Sequence, residues 1–597
     1  MADSRTRFYL SVVGAFWVAV LPGASCTPPP NPPPTATPSP TLTPAPSLPS
    51  TPSPTPEPSS TATSSPSPGP TPCPSPSPTG LQRPLSLAST LAPRAASERK
   101  VGSILHALSR QDVSLSLSKL RPLQVTRKRA DHPVKLLPHR HPPRPLGRFQ
   151  DLILQAPALA PLAATLRLNF DGVGVPNYAV TGAPPDTNGA VGATQYVQWV
   201  NTAFAVFDKA GNRVYGPADG STLWQGFGGP CETENSGDAI ALYDKAAQRW
   251  VLSQFAVETA PYSQCIAVST TSDATGPYRR FAYSFGNDFN DYPKVGVWPD
   301  GYYITFNIFS GGQTFAGAKV CAFDRLRMLD ASATPGAMQC FQLGSQYGGL
   351  LPADLDGSTP PPTGSPNFVL AFDDASLSAL NLWKFQVDWA TPGASTFTGP
   401  LQIPVAAFTE ACNGATCIAE PGGGQLDSLA DRLMYRLAYR NFGTSDSLLV
   451  NHSVDVGGHS AVRWYEIKTP GGSPTVYQQG TYSPDSSYRW MGSMAMDQRG
   501  NILLGYSVSG DNLSPSIRYT GRNASDALGT LQAEGSLFAG SGSQTGGITR
   551  WGDYSAATVD PTDDCTFFYT NQYLKTTGSF NWSTRIGSFK FPTCSCP

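Results

Sequence analysis

A unit of short strands recurs through the second two thirds of the chain, and this recurrence constrains the fold more than any other feature. Each copy reads as a polar or acidic entry, a short strand of small residues, a turn containing Asp, and an apolar strand ending in an amide or hydroxyl. Further strands follow after a variable loop. "DTNGAVGATQYVQWVN" opens the first copy at Asp186, and "DAIALYDKAAQRWVLSQ" and "DYPKVGVWPDGYYITFN" open the next two at Asp238 and Asp291. A looser fourth copy carries Asp354 and Asp356 in "LLPADLDG". The fifth enters at Asp427, the sixth places Arg489 at the entry, and the last begins at Asp553. Recurrence at roughly 50 to 70 residues predicts one supersecondary unit per copy, each burying its apolar face against its neighbours.

Three or four short strands repeated in this way predict an all-β protein, a β-propeller of seven blades around a central channel. An array of β-sandwiches is the competing arrangement. The last copy stops after three strands, while "LRLNF" at 166–170 stands unpaired ahead of the first. That strand is expected to complete the last sheet, closing the ring and covering an exposed edge.

The front of the chain is of another kind. Arg5 and Arg7 precede an apolar run from Tyr9 to Leu21 and then small residues, the layout of a secretory signal over 1–25. "PGASC" resembles a bacterial lipobox that would make Cys26 a lipidated first residue. Gly23 departs from that pattern, and cleavage with release is the alternative. Residues 26–80 repeat Pro, Ser and Thr with Glu57 as the only charge, which predicts a disordered, solvated stalk. Charged residues are 14% of the chain, well below about a quarter, and 57 Gly and 59 Pro fit a turn-rich β domain at 161–597 with a disordered front end.

The net charge of -1 hides an asymmetry. Residues 81–160 form a basic spacer or pro-segment; its part up to residue 150 holds fourteen Lys or Arg against Glu98, Asp112 and Asp131. A short amphipathic helix is expected in "VGSILHALSRQ", from Val101, Ile104, Leu105 and Leu108 on one face. "KLLPHRHPPRPLGR" is too rich in proline for a packed element. Binding of an anionic surface polymer is the functional alternative to a solvated spacer.

In an exported chain eleven cysteines read first as disulfides. Strand direction in a propeller brings Cys231 to Cys265 near one face and Cys565 to Cys594 near the other. Cys321 and Cys340 lie on neighbouring strands, and Cys412 with Cys417 closes a small loop. No His and Cys set has zinc spacing, so no metal ligand and no cofactor is expected, with calcium left open where Asp and carbonyls meet.

The same topology gathers the entry residues at the channel mouth. Asp238, Asp291 and Asp553, with Glu232 and Glu234 of "CETENSGD", are the catalytic candidates, because glycosidic cleavage needs paired carboxylates. Asp186, Asp427, Arg432, Arg436, Asn307, Asn451 and Asn571 are ligand-binding candidates. Against this, an Asp ahead of a strand commonly caps backbone amides two or three residues on. The arginines can equally pair with the acidic ring. His452 reads as an exposed loop histidine, and the absence of a GxSxG elbow argues against a serine nucleophile. No phosphate loop or basic aromatic surface points to nucleic acid.

"PPDTNGAVGATQYVQWVN", "NDYPKVGVWPDGYY", "LDSLADRLMYRLAYRNFG" and "RWGDYSAATVDPTDDCTFFYTNQY" resemble an uncharacterised family of exported bacterial β-propeller-like proteins over 166–592. The resemblance implies export and a propeller-like fold and brings no reaction. The expectation is an exported, cell-surface or extracellular monomer directed at a glycan or surface polymer, with a lipid anchor open. It is either glycoside hydrolase-like or a noncatalytic binding or adhesion propeller.

Overall fold

The structure, a computed structural model, describes residues 103–124, 129–131, 135–156, 160–468 and 472–594. The signal-like start, Cys26 and the Pro/Ser/Thr stretch lie outside the described residues. The fold is all-β. Among the described residues no helix is long and apolar enough to cross a membrane.

Each sequence repeat folds into an antiparallel set of strands, because apolar and β-branched runs alternate with turn chemistry that forces reversal. In "DKAGN", Asp208 accepts the amides of Ala210 and Asn212 at 2.9 and 2.8 Å. In "DQRGN", Asp497 accepts those of Arg499 and Asn501 at 2.8 and 2.9 Å. Gly211 and Gly500 follow in the left-handed region, with φ of 90° and 81°, where a side chain would be strained.

The first repeat runs in the order Thr187–Val191, Gln195–Val200, Ala203–Asp208 and Arg213–Asp219. The second and third build Gly237–Asp244 to Tyr278–Gly286 and Asp288–Val297 to Met338–Gln342. The fourth and fifth merge into one sheet, because Leu351–Asp356 pairs parallel with Met434–Asn441. The sixth spans Tyr488–Met496 to Gly535–Phe538. In the last, Trp582–Lys590 pairs antiparallel with Thr165–Asp171 from the front of the chain.

The first strands of successive repeats lie side by side. Thr187–Val191 lies against Gly237–Asp244, and the succession continues through Asp288–Val297, Leu351–Asp356, Met434–Asn441 and Tyr488–Met496 to Ala556–Val559. That last strand lies against Thr187–Val191 again. The arrangement is propeller-like, with the core in the wedges between neighbouring sheets. Trp298 stacks edge-on to Tyr439 at 4.8 Å, Tyr283 to Phe323 at 4.9 Å, and Tyr196 over Phe568 at 5.5 Å. Close approach leaves room only for glycine at Gly505, where a Cβ would stand 2.3 Å from the Tyr569 ring.

The described residues between 103 and 156 run as a belt along the outer strands of these sheets, and here the sequence expectations need correction. The described part of "VGSILHALSRQ", from Ser103 on, is not helical: Ile104–His106 adds to the edge strand Met338–Gln342, and Leu108–Val113 adds to Tyr278–Gly286. A short isolated helix is marginal, whereas an unpaired sheet edge offers a full ladder of hydrogen bonds. Leu105 stays 52% exposed, so the apolar face that suggested a helix is not what the segment buries. Some of the belt's charges pair with the sheets. Arg280 grips Asp112 through two bonds of 2.8 and 2.6 Å, Arg140 meets Asp373 at 2.8 Å, and buried Arg463 meets Asp151 at 2.7 Å. The proline-rich stretch packs without regular structure, with Leu137 buried and its amide donating to Asp431 at 2.8 Å.

Beneath the sheets' meeting point a line of buried ion pairs follows one strand. Arg436 bridges Asp354 at 3.1 Å and Asp356, and donates to the Ala557 carbonyl at 3.0 Å. Burial pushes Asp356 up, but Arg436 and Lys245 outweigh it and hold its pKa at about 2. One strand end further, Arg440 pairs with Asp564 through two bonds of 2.7 Å. Replacing Arg436 with Met leaves two buried carboxylates short of their main cation. We expect a loss of about 3–5 kcal/mol in denaturant unfolding at neutral pH.

Candidate functional site

The entries of the first strands surround a cavity of about 470 Å³, within the range of roughly 300–1,000 Å³ usual for small-ligand sites. Asp186, Asp238, Asp291 and Asp553 come to it from the first, second, third and last repeats, with Arg432, Arg550 and the belt's Lys135. Phe255, Phe289 and Tyr292 supply apolar wall.

A repeated backbone device sets these side chains there. The first strands carry bulges between Gly237 and Ile240, Asp291 and Lys294, Met434 and Ala438, and Trp490 and Ser493. Asp186, Asp238, Tyr292, Leu429 and Met491 adopt positive φ at or close to these entries, between 42° and 55°. A bulge turns the strand and re-aims its side chains, which swings the entry residues toward the axis.

Capping is the main bond made by two of the aspartates, but it crosses between repeats where the sequence suggested bonds within one loop. Asp186 accepts the Asp553 amide at 2.7 Å, and Asp238 accepts the Tyr292 amide at 3.0 Å. The amides act alike. Asn201 accepts the Asp238 amide at 2.8 Å, Asn307 accepts that of Gly349 at 2.9 Å, and Asn451 donates to the Gly492 carbonyl at 3.1 Å. Asn571 donates to Ser507 at 3.0 Å. Of these only Asn201 reaches the cavity; Asn307, Asn451 and Asn571 are buried at the junctions.

The carboxylates have unequal electrostatics. Burial, then Asp553 and Asp238, pushes Asp186 well above its ordinary pKa. Burial also raises Asp238, against the opposing pull of Lys294. Asp291 is raised to about 7, first by burial and next by Asp238, with Lys135 and Arg432 opposing. Its carboxyl opens to the cavity and accepts no hydrogen bond among the described residues, which distinguishes it from the two capping aspartates. Lys294 is fully buried with its ammonium 3.4 Å from the Tyr292 ring centre, and burial lowers its pKa to about 8. Lys135 sits 3.7 Å from the Phe289 ring centre and is also lowered by burial. Arg550 joins Asp553 at 2.7 Å to Asp427 at 2.6 Å, and Arg432 lies 4.5 Å over the Tyr292 ring while gripping Asp431.

Other candidates fall outside the cavity. Asp427 stands behind Arg550, and Asp354 and Arg436 pair with each other below it, because Asp354 lies inside its strand and not at the entry. Glu232 accepts the amides of Gly226 and Gly228 at 2.8 and 2.6 Å, and Glu234 accepts that of Glu258 at 2.8 Å. Both acids hold the loop that carries Cys231. His452 is not an exposed loop residue: it is fully buried in Asp446–Val456, stacked on Tyr465 and bonded to its hydroxyl at 3.0 Å. Disulfides join Cys231 to Cys265, Cys321 to Cys340, Cys412 to Cys417 and Cys565 to Cys594, with Cα separations of 5.9, 4.1, 5.3 and 5.5 Å.

Sequence reasoning missed Lys135, Lys294, Tyr292 and Arg550. Tyr292 and Lys294 lie in "DYPKVGV", one and three residues after an entry Asp, so the motif itself held the signal. Lys135 had none, since only the belt's path brings it in. A separate group, His139, His141, Asp374 and Glu410, lies outside that cavity's lining.

No protein-family model matches the chain, and no curated protein matches it. Among solved structures it is similar to a Penicillium chrysogenum alpha-L-arabinanase complexed with arabinobiose, at 10% identity and a TM-score of 0.34, over 61% of this chain and 100% of that one. A Dyadobacter fermentans protein of unknown function matches at 10% and 0.32, over 72% and 99%. An ulvan lyase of polysaccharide lyase family PL25 matches at 10% and 0.31, over 70% and 97%. At these identities and scores the likenesses carry no argument about the site.

Arg550→Met separates Asp427 and Asp553 from their shared cation. Burial raises the Asp427 pKa to about 6 even with Arg550 in place, and without it the value climbs further. The variant should therefore lose about 3–5 kcal/mol at pH 8, where Asp427 is an unpaired buried charge, and clearly less at pH 5, where it is neutral. Urea unfolding at the two pH values measures the difference.

Proposed function

We propose that the protein is an exported, cell-surface carbohydrate-directed propeller of seven blades, with Thr165–Asp171 closing the ring. On this reading residues 1–25 direct export, Cys26 anchors or the mature chain is released, 26–80 act as stalk, and the domain at 161–597 works as a monomer. The unbroken succession of first strands and the pairing of Thr165–Asp171 with the last sheet support the architecture.

Asp291 carries the functional reading. A carboxyl with pKa about 7, open to a cavity with aromatic walls and three further aspartates, suits protonation of a glycosidic oxygen near neutral pH. Asp553, oriented by Arg550, is the partner carboxylate on this reading, as base or nucleophile. Asp186 and Asp238 hold the entries, and Phe255, Phe289 and Tyr292 make part of the wall apolar. A noncatalytic binding propeller is the second reading, favoured by the backbone bonds that occupy Asp186 and Asp238.

The test is a binding and hydrolysis screen of the full chain across a broad glycan panel. Asp291→Asn should keep binding and lose turnover by about 10²–10⁴-fold. Wild-type turnover should fall as pH rises through about 7, where Asp291 loses its proton. Lys135→Met removes a cation that lowers that pKa, so the limb should move to higher pH. The sign for stability is the same: the raised carboxyl contributes fully at low pH and loses that contribution as pH rises through 7. Asp291→Asn should therefore gain melting temperature over wild type at pH 8 and not at pH 4. Binding without turnover selects the second reading, and neither binding nor turnover rejects carbohydrate altogether.

A further inference from the structure

His139 and His141 leave the belt on the same side and meet two acids from distant parts of the chain. Asp374 follows strand Asn367–Phe372 of the fourth repeat, and Glu410 lies in the connection to the fifth, where it bridges to Val454. Four nitrogen-to-oxygen approaches define the group. His139 Nδ1 lies 3.6 Å from Asp374 Oδ1 and 3.4 Å from Glu410 Oε2. His141 Nε2 lies 3.3 Å from Asp374 Oδ1 and 3.6 Å from Glu410 Oε1. One ligand atom from each residue falls within 4.8 Å of all the others.

These separations are long for hydrogen bonds between such groups, which run at about 2.7–3.2 Å. Counting either oxygen of Glu410, they approach the edge of a tetrahedron around zinc, and the full set of four ligand atoms, within 4.8 Å of one another, would draw in on binding. Ligands about 2.0–2.1 Å from a central zinc stand about 3.3 Å apart. The surroundings orient each donor inward. Pro142 offers only a carbonyl to His141 Nδ1, at 3.0 Å, so that nitrogen carries the proton and Nε2 keeps its lone pair for the centre. Asp374 Oδ2 is occupied by the Arg140 amide at 2.6 Å, which leaves Oδ1 aimed at both histidines. Glu410 is the decisive member: its side chain is 0% exposed, and neither carboxylate oxygen has a hydrogen-bond partner, nor does His141 Nε2. A buried carboxylate with no donor is costly, and a cation relieves that cost. His139 at 27% and Asp374 at 19% exposure leave a way in from solvent.

We propose that His139, His141, Asp374 and Glu410 form a tetrahedral site for one zinc-type divalent cation, which clamps the belt onto the fourth and fifth repeats. Two imidazoles with two carboxylates suit a first-row metal better than calcium, which takes six to eight oxygens. The clamp lies four residues from Lys135, so it also fixes the segment that delivers that ammonium to the cavity.

The test uses the full chain, stripped with chelator and titrated calorimetrically with zinc chloride. The expected result is one saturable zinc per chain, a higher melting temperature, and slower trypsin cleavage after Lys135 and Arg140. Cobalt(II) in its place should give the strong visible absorption of a tetrahedral centre. His141→Ala should weaken zinc binding by at least about 100-fold, since even outer-shell losses cost 10–100-fold. Half-exposed His139→Ala, with its fold checked by circular dichroism, guards against a folding artefact in the first variant. No saturable binding, or an affinity unchanged from wild type in both variants, would show an ion-pair cluster only and overturn the proposal. Calcium binding in preference to zinc would overturn it as well.

Discussion

Sheets arranged around an axis crowd together at their first strands, and at the junctions other than that of the fourth and fifth repeats the backbone ladder of one sheet ends without continuing into the next. Every amide exposed at such a junction needs an acceptor. This protein supplies it from side chains that cross the junction. Asp186 takes the Asp553 amide and Asp238 that of Tyr292; Asn188 takes that of Ala241 at 2.7 Å, and Asn201 that of Asp238 at 2.8 Å. The polar entries recur in nearly every repeat because nearly every junction presents the same problem. The cavity follows from it, since the residues that hold the junctions also converge on the axis.

That dual position explains why the mouth is rich in charge and still folds. Each cavity cation has a further partner behind or beside it: Arg550 has Asp427, Arg432 has Asp431, and Lys135 has the faces of Phe289 and Phe309. Within this balance Asp291 alone of the three entry aspartates in the first repeats is spared a junction bond. Its raised pKa is what remains when a carboxyl is packed in protein, set near Asp238, and left without a donor.

The belt shows a second use of charge. The front segment is strongly basic and the repeats are correspondingly acidic, an imbalance that as sequence suggested either solvation or an outside polymer. Inside the molecule Arg140 of that segment pairs with Asp373, while its acids Asp112 and Asp151 serve Arg280 and Arg463 of the sheets. Arg140, Arg280 and Arg463 tie the belt to the sheets or the sheets to the belt, and two of its strands extend edges that would otherwise lie open.

The repeat unit, its strands and turns, and the pairing of cysteines were legible in the sequence because each depends on local alternation and on chain direction. Asp186, Asp238, Asp291 and Asp553 were legible as a set for the same reason. Their differences were not, because a bond from Tyr292 to Asp238 or from Asp553 to Asp186 forms between repeats. The helix expected at 101–111 and the exposed His452 failed alike. Periodicity reports a residue's own chain, whereas a free sheet edge or the rings of Phe408 and Tyr465 belong to another part of it. The sequence by itself determined strands, reversals and the repeated acidic entries. Tertiary structure alone decided which carboxylates face the cavity, where Lys135 arrives, and that His139 and His141 meet Asp374 and Glu410. Those outcomes rest on Coulomb and hydrogen-bond partners supplied from far along the chain, which no local pattern encodes.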